Sequence, residues 1–565
     1  MSPDVDAIVV GSGAGGGPVA LELALAGRSV VVLEKGPWFR EGDFDKDEIA
    51  NCRRHLFTPR RRDEPHVAQV RDGAGGWAAF PTPGTPWDFW NGSMVGGATN
   101  LMSGFFLRMK PDDFRPLSAY GPVPGADVVD WPISYDDLEP FYAKVETEVG
   151  VSGRVTKHRF AEPRSTPEYP YPPTIEHAFA AWIDETGAAM GLRPVRLPRA
   201  VLTRPKDARE PCLYTGYCGS YGCTSGAKGS SRAALLDRAV ATGRCEIRPL
   251  LRATRIVTDG GGRATGVEYV DAAGAKHEVS ARVVVVACQA IETSRLLLAS
   301  TGPRHPNGLG NRFDQVGRRI LFSPDGGGWG AFRLAALSEE RRRDLLYASP
   351  FVNRTLQDAY VIDDPKLGRR KGGSVDFLKP HSNPIAAAVG VARSEGTSDG
   401  APLWGWPLKH ALERRFREVQ VLRFETFLDW QPMTECRVTL DPVVTDRLGF
   451  PVARVKVDSH PWNLETSAWL GEFATKFLRR MGAESTRSFA NGGPSTNLQA
   501  GGCRFGRDPE TSVLDPDCRI HDAANVFVTD GSFLPTGGSV PYTWTIYANS
   551  FRVAEKVVSE LDGRR

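Results

Sequence analysis

The sequence predicts an α/β protein in which a parallel sheet carries a glycine-rich turn and a second domain completes the chain. Residues 7–10 are an apolar run that ends in the glycine-rich segment 11–17. A leucine-rich stretch follows to Ala26, so the pattern predicts a strand, a turn and a helix. Residues 29–33 are a second β-branched run. At 565 residues the chain exceeds a single hydrophobic core, so two or more domains are expected.

The glycine-rich turn matches the G-x-G-x-x-G pattern at Gly11, Gly13 and Gly16, and Ala14 lies inside it. In this pattern the chain turns tightly, brings its backbone against a pyrophosphate and packs the helix close to the strand. Glu34, eighteen residues beyond Gly16, would accept hydrogen bonds from ribose hydroxyls. The turn predicts a dinucleotide site but does not separate FAD from NAD, and a glycine turn of another α/β protein is the alternative.

Composition excludes several classes of function. Lys and Arg number 70 against 67 Asp and Glu, a net charge of +3, so the charge balance gives no indication of a nucleic-acid partner. No apolar run reaches the roughly 18–20 residues that cross a bilayer. Asp4 and Asp6 stand where a signal peptide would carry basic residues, so no export signal is expected.

The remaining segments predict individual elements. Residues 37–91 are expected to be an ordered extension with little regular structure, and residues 252–286 a β-meander. Helices are predicted from residue 131 with Ser134 as N-cap, and over 230–241, 290–298 and 543–561. The strand at 525–529 runs into a turn with Asp530, so both chain ends are predicted to build one cofactor site.

The first glycine motif and segments 92–100, 131–139, 290–302 and 528–536, in this order, resemble the glucose–methanol–choline oxidoreductase family over nearly the whole chain. The resemblance implies a Rossmann-type FAD-binding domain with a second substrate domain built on a β-sheet. It also implies FAD rather than NAD. Some relatives attach FAD through a histidine near Thr99, and because this stretch has none, FAD is expected to be non-covalent.

On this reading the chain divides into five segments. Residues 1–150, 205–305 and 490–565 form the FAD-binding domain, with the cysteine segment and meander in its middle part, and residues 151–204 and 306–489 form the substrate domain. The residues assigned to the cofactor are Gly11, Gly13, Ala14, Gly16, Glu34, Gly96, Gly97, Asn100, Asp530 and Gly531.

Three of the nine cysteines, Cys212, Cys218 and Cys223, lie within twelve residues in a glycine-rich stretch. This stretch is similar to the catalytic subunit of bacterial FAD-dependent glucose dehydrogenases, which holds a [3Fe-4S] iron–sulfur cluster on three cysteines. The spacing here, C-x5-C-x4-C, departs from the relative by one residue. Soft thiolates at short spacing suit such a cluster, and a disulfide or buried structural thiols are the alternatives.

The resemblance implies partners as well. An iron–sulfur cluster would pass electrons one at a time to an external acceptor, so dehydrogenase rather than oxidase behaviour is expected, with a small accessory subunit and a haem or quinone acceptor. Such a subunit could carry the chain, already folded, to the periplasmic side of the inner membrane. Otherwise a cytoplasmic location is expected.

The usual catalytic base of the family is missing. Asn497 takes the place of the family histidine if one residue, such as Ala500, is inserted, and Pro541 replaces its Asn or His partner. Neither an amide nor a proline is a general base. Asn497, Gln499 and Tyr542 are the residues predicted to act on or orient a substrate.

Three histidines remain to be placed. His381 and His460 lie in the substrate domain and are secondary candidates for a place near the flavin, whereas His521 is assigned a surface role. The predicted function is an FAD-dependent dehydrogenase that oxidises a hydroxyl group of a sugar, a sugar derivative or another alcohol. The alternative is a flavin and iron–sulfur electron-transfer subunit, or a flavoenzyme of desaturation or elimination.

Overall fold

The computed structural model describes residues 3–49, 58–73, 75–85, 87–90, 92–323, 325–345, 349–396, 400–490 and 498–563. Three sheets dominate these residues. Among them, no helix is both long and apolar enough to cross a membrane.

The strands are β1 (Val5–Val10), β2 (Val30–Leu33), β3 (Val67–Arg71), β4 (Trp77–Pro81), β5 (Val195–Arg196), β6 (Cys245–Arg248), β7 (Arg252–Thr258), β8 (Ala264–Val270), β9 (Lys276–Val286), β10 (Arg318–Ser323), β11 (Gly326–Arg333), β12 (Arg354–Leu356), β13 (Val361–Asp364), β14 (Gly368–Lys371), β15 (Gly373–Leu378), β16 (Val419–Leu428), β17 (Arg437–Thr445), β18 (Pro451–Lys456), β19 (Ser485–Ala490), β20 (Leu498–Gly502), β21 (Arg519–Ile520) and β22 (Ala523–Val528). The α-helices are α1 (Gly16–Leu25), α2 (Pro116–Tyr120), α3 (Tyr135–Val145), α4 (Phe179–Ala189), α5 (Asp237–Ala241), α6 (Ala290–Ala299), α7 (Glu339–Asp344), α8 (Pro384–Ser394), α9 (Gly405–Glu413), α10 (Pro461–Arg480) and α11 (Thr543–Leu561).

The first sheet has the order β21-β22-β9-β1-β2-β6, with β7 and β8 attached through β9. The strand β1 is central and pairs in parallel with β2 and β9, and β22 joins β9 in the same direction. Since parallel strands end at one edge of a sheet, the turns after β1, β9 and β22 meet there. The predicted strand, turn and helix at the start of the chain are confirmed, as is the Rossmann-type α/β fold.

The predicted meander is also confirmed. The strands β7, β8 and β9 pair antiparallel in sequence order. The first half of β9 belongs to this meander, while its second half, Ala281–Val286, runs buried and parallel beside β1. One strand thus ties the meander to the centre of the first sheet.

Two further sheets have the orders β20-β10-β17-β18-β3-β4 and β19-β11-β16-β15-β12-β5. In the second of these, called the third sheet below, alternate residues of β16 have different surroundings. Leu422, Phe424 and Leu428 are buried in an apolar cluster with Leu470 and Phe477 of α10. Because side chains alternate across a strand, the residues between them face the other way, towards a cavity.

Several local predictions are confirmed. Ser134 caps α3 and accepts a hydrogen bond from the Asp137 amide, the C-terminal helix spans Thr543–Leu561, and a helix follows β9 over Ala290–Ala299. A π-turn over Arg232–Leu236 and α5 together occupy the helix predicted at 230–241.

The expectation of little regular structure over 37–91 was wrong in part. This segment contains β3 and β4, and β3 extends the second sheet by parallel pairing with β18, Arg454 opposite Val67. Such long-range pairing leaves no signal in the local sequence.

Candidate active site

A cavity of about 590 Å³ runs from the glycine turn after β1 to the inner face of the third sheet. Its first part is bounded by the ends of the parallel strands, including Gly11, Glu34 and Asp530, and its far part by β15 and β16. The cavity therefore joins the predicted cofactor site to the predicted substrate domain.

At three positions of the glycine turn, Gly11, Gly15 and Gly16, an added Cβ would meet backbone atoms at less than 3 Å. Gly11 has φ +96°, and a Cβ there would lie 2.2 Å from the Ala287 carbonyl oxygen. A Cβ on Gly16 would lie 2.0 Å from the carbonyl oxygen of Gly11. Gly13 and Ala14 line the cavity itself. The N-terminus of α1 has no side-chain cap, so the positive end of the helix dipole is left for an anion such as a pyrophosphate.

Glu34 is held by hydrogen bonds at the end of β2. One of its oxygens accepts from the Ser12 hydroxyl at 2.5 Å and the other from the Gly36 amide at 2.8 Å. Burial raises the pKa of Glu34, and these hydrogen bonds act against that rise. Ser12 also accepts from the Gly96 amide at 2.9 Å, so this serine, which the sequence did not single out, joins the two glycine turns.

The second glycine turn has a mixed role. Gly97 lines the cavity. Asn100 lies behind it, where its side-chain amide donates to the carbonyl oxygens of Val95 at 2.9 Å and Gly97 at 3.0 Å. Asn100 and Gly96 thus shape the turn, while Gly97 is available to a ligand.

Asp530 joins the C-terminal turn to the start of α6. Its carboxylate accepts hydrogen bonds from the amides of Gln289 at 3.0 Å and Ser532 at 2.8 Å, and from the hydroxyls of Thr293 and Ser532. Burial raises its pKa against these bonds. Asp530 and Gly531 both line the cavity, so the predicted convergence of the two chain ends is observed.

These residues fit FAD. The cradle offers a glycine turn, a helix start without a side-chain cap and a fixed carboxylate, which are the features that bind the pyrophosphate and ribose of a dinucleotide. The same cavity is also lined by Met102, Ser103, Thr543 and Ile546, so it offers more space than the cradle residues alone enclose.

Two of the three predicted substrate-orienting residues line this cavity. Gln499 donates from Nε2 to the Phe89 carbonyl oxygen at 2.7 Å, and the Tyr542 hydroxyl donates to the Leu498 carbonyl oxygen. Burial raises the pKa of Tyr542 well above its usual range. Asn497 lies outside the described residues.

The three histidine candidates separate clearly. His381 lines the cavity and packs on Gly219, where an added Cβ would lie 2.4 Å from its Nε2. His460 accepts a hydrogen bond from the Trp462 amide at the start of α10, and His521 is bonded to the Ser512 hydroxyl at 2.9 Å. Only His381 of these three reaches the cavity wall.

The far wall was not found from the sequence. Arg423, Glu425 and Phe427 of β16 and Leu378 of β15 line the cavity. The alternation of apolar and polar residues along β16 was a usable signal, but it could not show that the polar face meets the cofactor cavity.

The three cysteines of the glycine-rich loop are free thiols and partly buried. Burial raises the pKa of Cys212 to about 11. Burial acts to raise the pKa of Cys223 as well, but the Lys228 charge and nearby hydrogen bonds act more strongly in the opposite direction. The pKa of Cys223 is therefore lower than that of an ordinary thiol. Within the described ranges, no group of three or more His, Cys, Asp or Glu residues is arranged to hold a metal ion, so the metal site at these cysteines stays a prediction.

The charges around this loop nevertheless suit an anionic group. Arg199, Arg209 and Lys228 are buried and donate to neutral oxygens, among them the Ser103 carbonyl at 2.7 Å, the Gly226 carbonyl at 2.9 Å and the Tyr221 carbonyl at 2.9 Å. No carboxylate of the described chain lies within ion-pair distance of these three cations. Burial lowers the pKa of both arginines to about 10. Thiolates or a thiolate-bound cluster would offset this charge.

Comparisons with known proteins agree with the cradle. The family model for GMC oxidoreductases matches residues 198–322 with its N-terminal part and 432–550 with its C-terminal part, and a model for an FAD binding domain matches residues 6–42. Among solved structures, pyridoxine 4-oxidase from Mesorbium loti is similar with a TM-score of 0.59 and 16% identity, covering 98% of this chain and 99% of that one. This likeness shows the fold.

Curated relatives span nearly the whole chain. Paromamine 6'-oxidase from Streptomyces fradiae is 32% identical over 99% of this chain and 92% of its own length. For 2-methyl-1,2-propanediol dehydrogenase from Mycolicibacterium austroafricanum the identity is 30% over 98% and 95%. For the fructose dehydrogenase large subunit from Gluconobacter japonicus it is 25% over 98% of each. The chain therefore belongs to the GMC oxidoreductase family and is an FAD-dependent oxidoreductase that acts on alcohol groups.

Proposed function

We propose that this protein oxidises a hydroxyl group of a sugar, a sugar derivative or another polyol and delivers the electrons to an external acceptor through an iron–sulfur cluster. The observation that carries the proposal is the single cavity that joins the FAD cradle to a polar wall containing His381, Arg423 and Glu425. When bound, FAD supplies the chemistry of accepting a hydride from the carbinol carbon.

The protein must also receive the hydroxyl proton. His381 is the imidazole of the cavity wall among the described residues, and its contact with Gly219 fixes its place. A histidine is suited to proton transfer near neutral pH. We assign His381 as the proton acceptor and Gln499, held by the Phe89 carbonyl oxygen, as a residue that orients the substrate.

The cysteines would hold the cluster. The loop that carries them also contributes Gly219 and Ser220 to the cavity wall, so the thiols lie on the same segment as the substrate end of the cavity. The uncompensated charges of Arg199, Arg209 and Lys228 favour an anionic group here. When bound, an iron–sulfur cluster supplies one-electron chemistry.

The acceptor would dock beside this loop. The start of α8 contacts the cysteine loop, because the Ser382 amide donates to the Gly216 carbonyl at 3.0 Å and the Tyr221 hydroxyl to Asn383 at 2.9 Å. Nearby along the chain, Trp404 and Trp406 are 81% and 67% exposed. Exposed aromatic residues are typical of interfaces, and they support an accessory subunit with a haem or quinone acceptor on this side.

The test combines flavin reduction with metal analysis. Protein purified without oxygen should contain iron and acid-labile sulfide, and a panel of sugars and polyols should bleach its flavin. Turnover with an artificial one-electron acceptor should exceed turnover with oxygen. Cys218→Ser should slow acceptor reduction and leave flavin bleaching intact, whereas Cys245→Ser, at a buried thiol in β6, should leave both rates unchanged.

Three results would contradict the proposal. Zinc, or no metal, in the wild-type protein would show that no iron–sulfur cluster is present. Equal turnover rates with oxygen and with the artificial acceptor would show that electron transfer does not need one. Flavin that no alcohol bleaches would instead favour an electron-transfer subunit or a desaturating flavoenzyme, which the absence of the family histidine already makes the second candidate.

A further inference from the structure

Two carboxylates lie side by side on the cavity face of the third sheet. Asp376 of β15 is directly opposite Glu425 of β16, and Gly327 of β11 is opposite Glu425 on its other side. Directly paired residues of neighbouring strands project to the same face of a sheet. Because Glu425 lines the cavity, Asp376 lies on the cavity side of the sheet next to it.

Neither carboxylate has an ion-pair partner among the described residues. Asp376 is 0% exposed, and neither of its oxygens has an aligned hydrogen-bond donor. The Thr355 and Ser374 hydroxyls and the charge of the buried Arg199 oppose the effect of burial, which still raises the pKa of Asp376 to about 7. The side chain of Glu425 makes no ion pair with any described residue, and burial raises its pKa too, although Arg423 acts in the opposite direction.

Leaving such charges unpaired is costly. A buried carboxylate without a partner loses its hydration and gains nothing in return. Two cations act on the pair without forming an ion pair with it: Arg423, two residues along β16 and exposed, acts on Glu425, and the buried Arg199 acts on Asp376. Without a cation, burial favours the protonated form of both groups. A cation that binds at the cavity wall would favour their ionised form and would gain an ion pair in return.

The pair lies two residues along the strands from a contact with the C-terminal turn. Phe427 is opposite Ser374, whose hydroxyl donates to the Ser539 carbonyl at 3.1 Å, two residues before Pro541 in the C-terminal turn. Glu425 is one strand repeat further out, about 7 Å. Gly327 contributes no side chain beside Glu425, and the Phe489 ring of β19, on the other side of Gly327, lies next to this position.

We infer that Glu425, with Asp376 behind it, is a binding site for a protonated amine of the substrate, so that the protein prefers amino sugars or amino polyols to their neutral counterparts. An ammonium brings the missing positive charge and three donors, whereas a hydroxyl brings one donor and no charge. The inference rests on the proposed function, because it specifies the substrate class of the same cavity.

Binding to the holoenzyme tests it without turnover. With the flavin reduced beforehand, isothermal titration would compare three sets of ligands: glucosamine, glucose and N-acetylglucosamine; the same three forms of galactosamine; and 3-amino-1,2-propanediol with glycerol. In at least one set the amine should bind about tenfold or more tightly than its neutral forms. This preference should disappear in Glu425→Gln and persist in Glu472→Gln, a control on the exposed side of α10.

The outcomes separate the two proposals. No amine preference in any set, or a preference that survives in Glu425→Gln, would overturn the inference, and the N-acetyl forms provide this test in the wild-type protein even if the variant does not fold. If neutral polyols bleach the flavin but amines bind no better, the proposed function stands alone. If amines bind through Glu425 but no alcohol bleaches the flavin, the binding site stands and the proposed function fails.

Discussion

The cofactor cradle and the wall of the third sheet use buried acids in opposite ways. In the cradle, Glu34 and Asp530 are surrounded by donors supplied by the protein, such as Ser12 and the Gln289 amide. On the wall, the carboxylates of Glu425 and Asp376 are not surrounded by aligned donors of the protein in this way. The cradle is complete before any ligand arrives, whereas the wall is completed by what binds to it.

The two regions also differ in which atoms do the binding. The cradle presents backbone amides and glycines where parallel strands end, so its shape depends on the absence of side chains. The wall presents alternate side chains of β15 and β16, so its chemistry can change by substitution without a change of fold. Variants in the two regions should therefore affect different measurements.

The largest effect is expected at Gly11. Gly11→Val places a side chain against the Ala287 carbonyl oxygen and strains a backbone with φ +96°, so the cradle cannot close and FAD should be lost. The flavin-to-protein ratio measures this. Gly260→Val, in a turn where a Cβ meets nothing within 4 Å, is the control and should keep its flavin. Full flavin content in Gly11→Val would show that the cradle is placed wrongly.

The next effect concerns the proton acceptor. His381→Gln should slow anaerobic flavin reduction by about 10²- to 10⁴-fold, because general base catalysis contributes this much. FAD content and amine binding should not change. His521→Gln, which alters a histidine bonded to Ser512 away from the cavity, should reduce its flavin at the wild-type rate. If His381→Gln reduced its flavin at the wild-type rate, a group other than His381 would accept the proton.

A smaller effect is expected at Glu34. Glu34→Gln keeps the shape but removes the charge that accepts from Ser12 and a ribose hydroxyl, so FAD affinity should fall by about tenfold to a hundredfold. Equilibrium titration of the apoprotein with FAD measures it, and Glu246→Gln in β6 is the exposed control. Unchanged affinity would refute the assignment of Glu34. In the wild-type protein, denaturation should release all the flavin, as expected for a non-covalent cofactor.

The smallest effect is a pH dependence of stability at the wall. Because burial raises the pKa of Asp376 to about 7, the folded protein retains a proton that the unfolded chain releases above about pH 4, so stability should fall as the pH rises between these values. Asp376→Asn removes this pH-dependent loss in the free energy of unfolding, which is at most about 4 kcal/mol. Its melting temperature relative to wild type should be higher at pH 8 than at pH 5. Asp136→Asn, at an exposed position, should show no such change, and equal behaviour of both variants would contradict the account.

The contrast between the regions explains what the sequence could predict. Gly11, Gly16, Glu34 and Asp530 follow strands in short motifs, so local pattern and resemblance located them. Glu425 and Asp376 become neighbours only through the pairing of β15 with β16, and 40 residues that include α8 and α9 separate the two strands. His381 lies at the cavity wall in contact with Gly219, and no local sequence pattern predicts this contact. The cysteine loop was located, but its metal remains a prediction.

The most direct test of the account is rapid anaerobic reduction of the flavin by an amino polyol that carries deuterium on the carbinol carbon. If the cavity brings that carbon to FAD and the wall holds the amine, reduction should be slower with the deuterated substrate, and Glu425→Gln should weaken saturation without removing the isotope effect. Flavin that is not reduced, or is reduced at equal rates with both isotopes and by neutral and amino substrates alike, would contradict it.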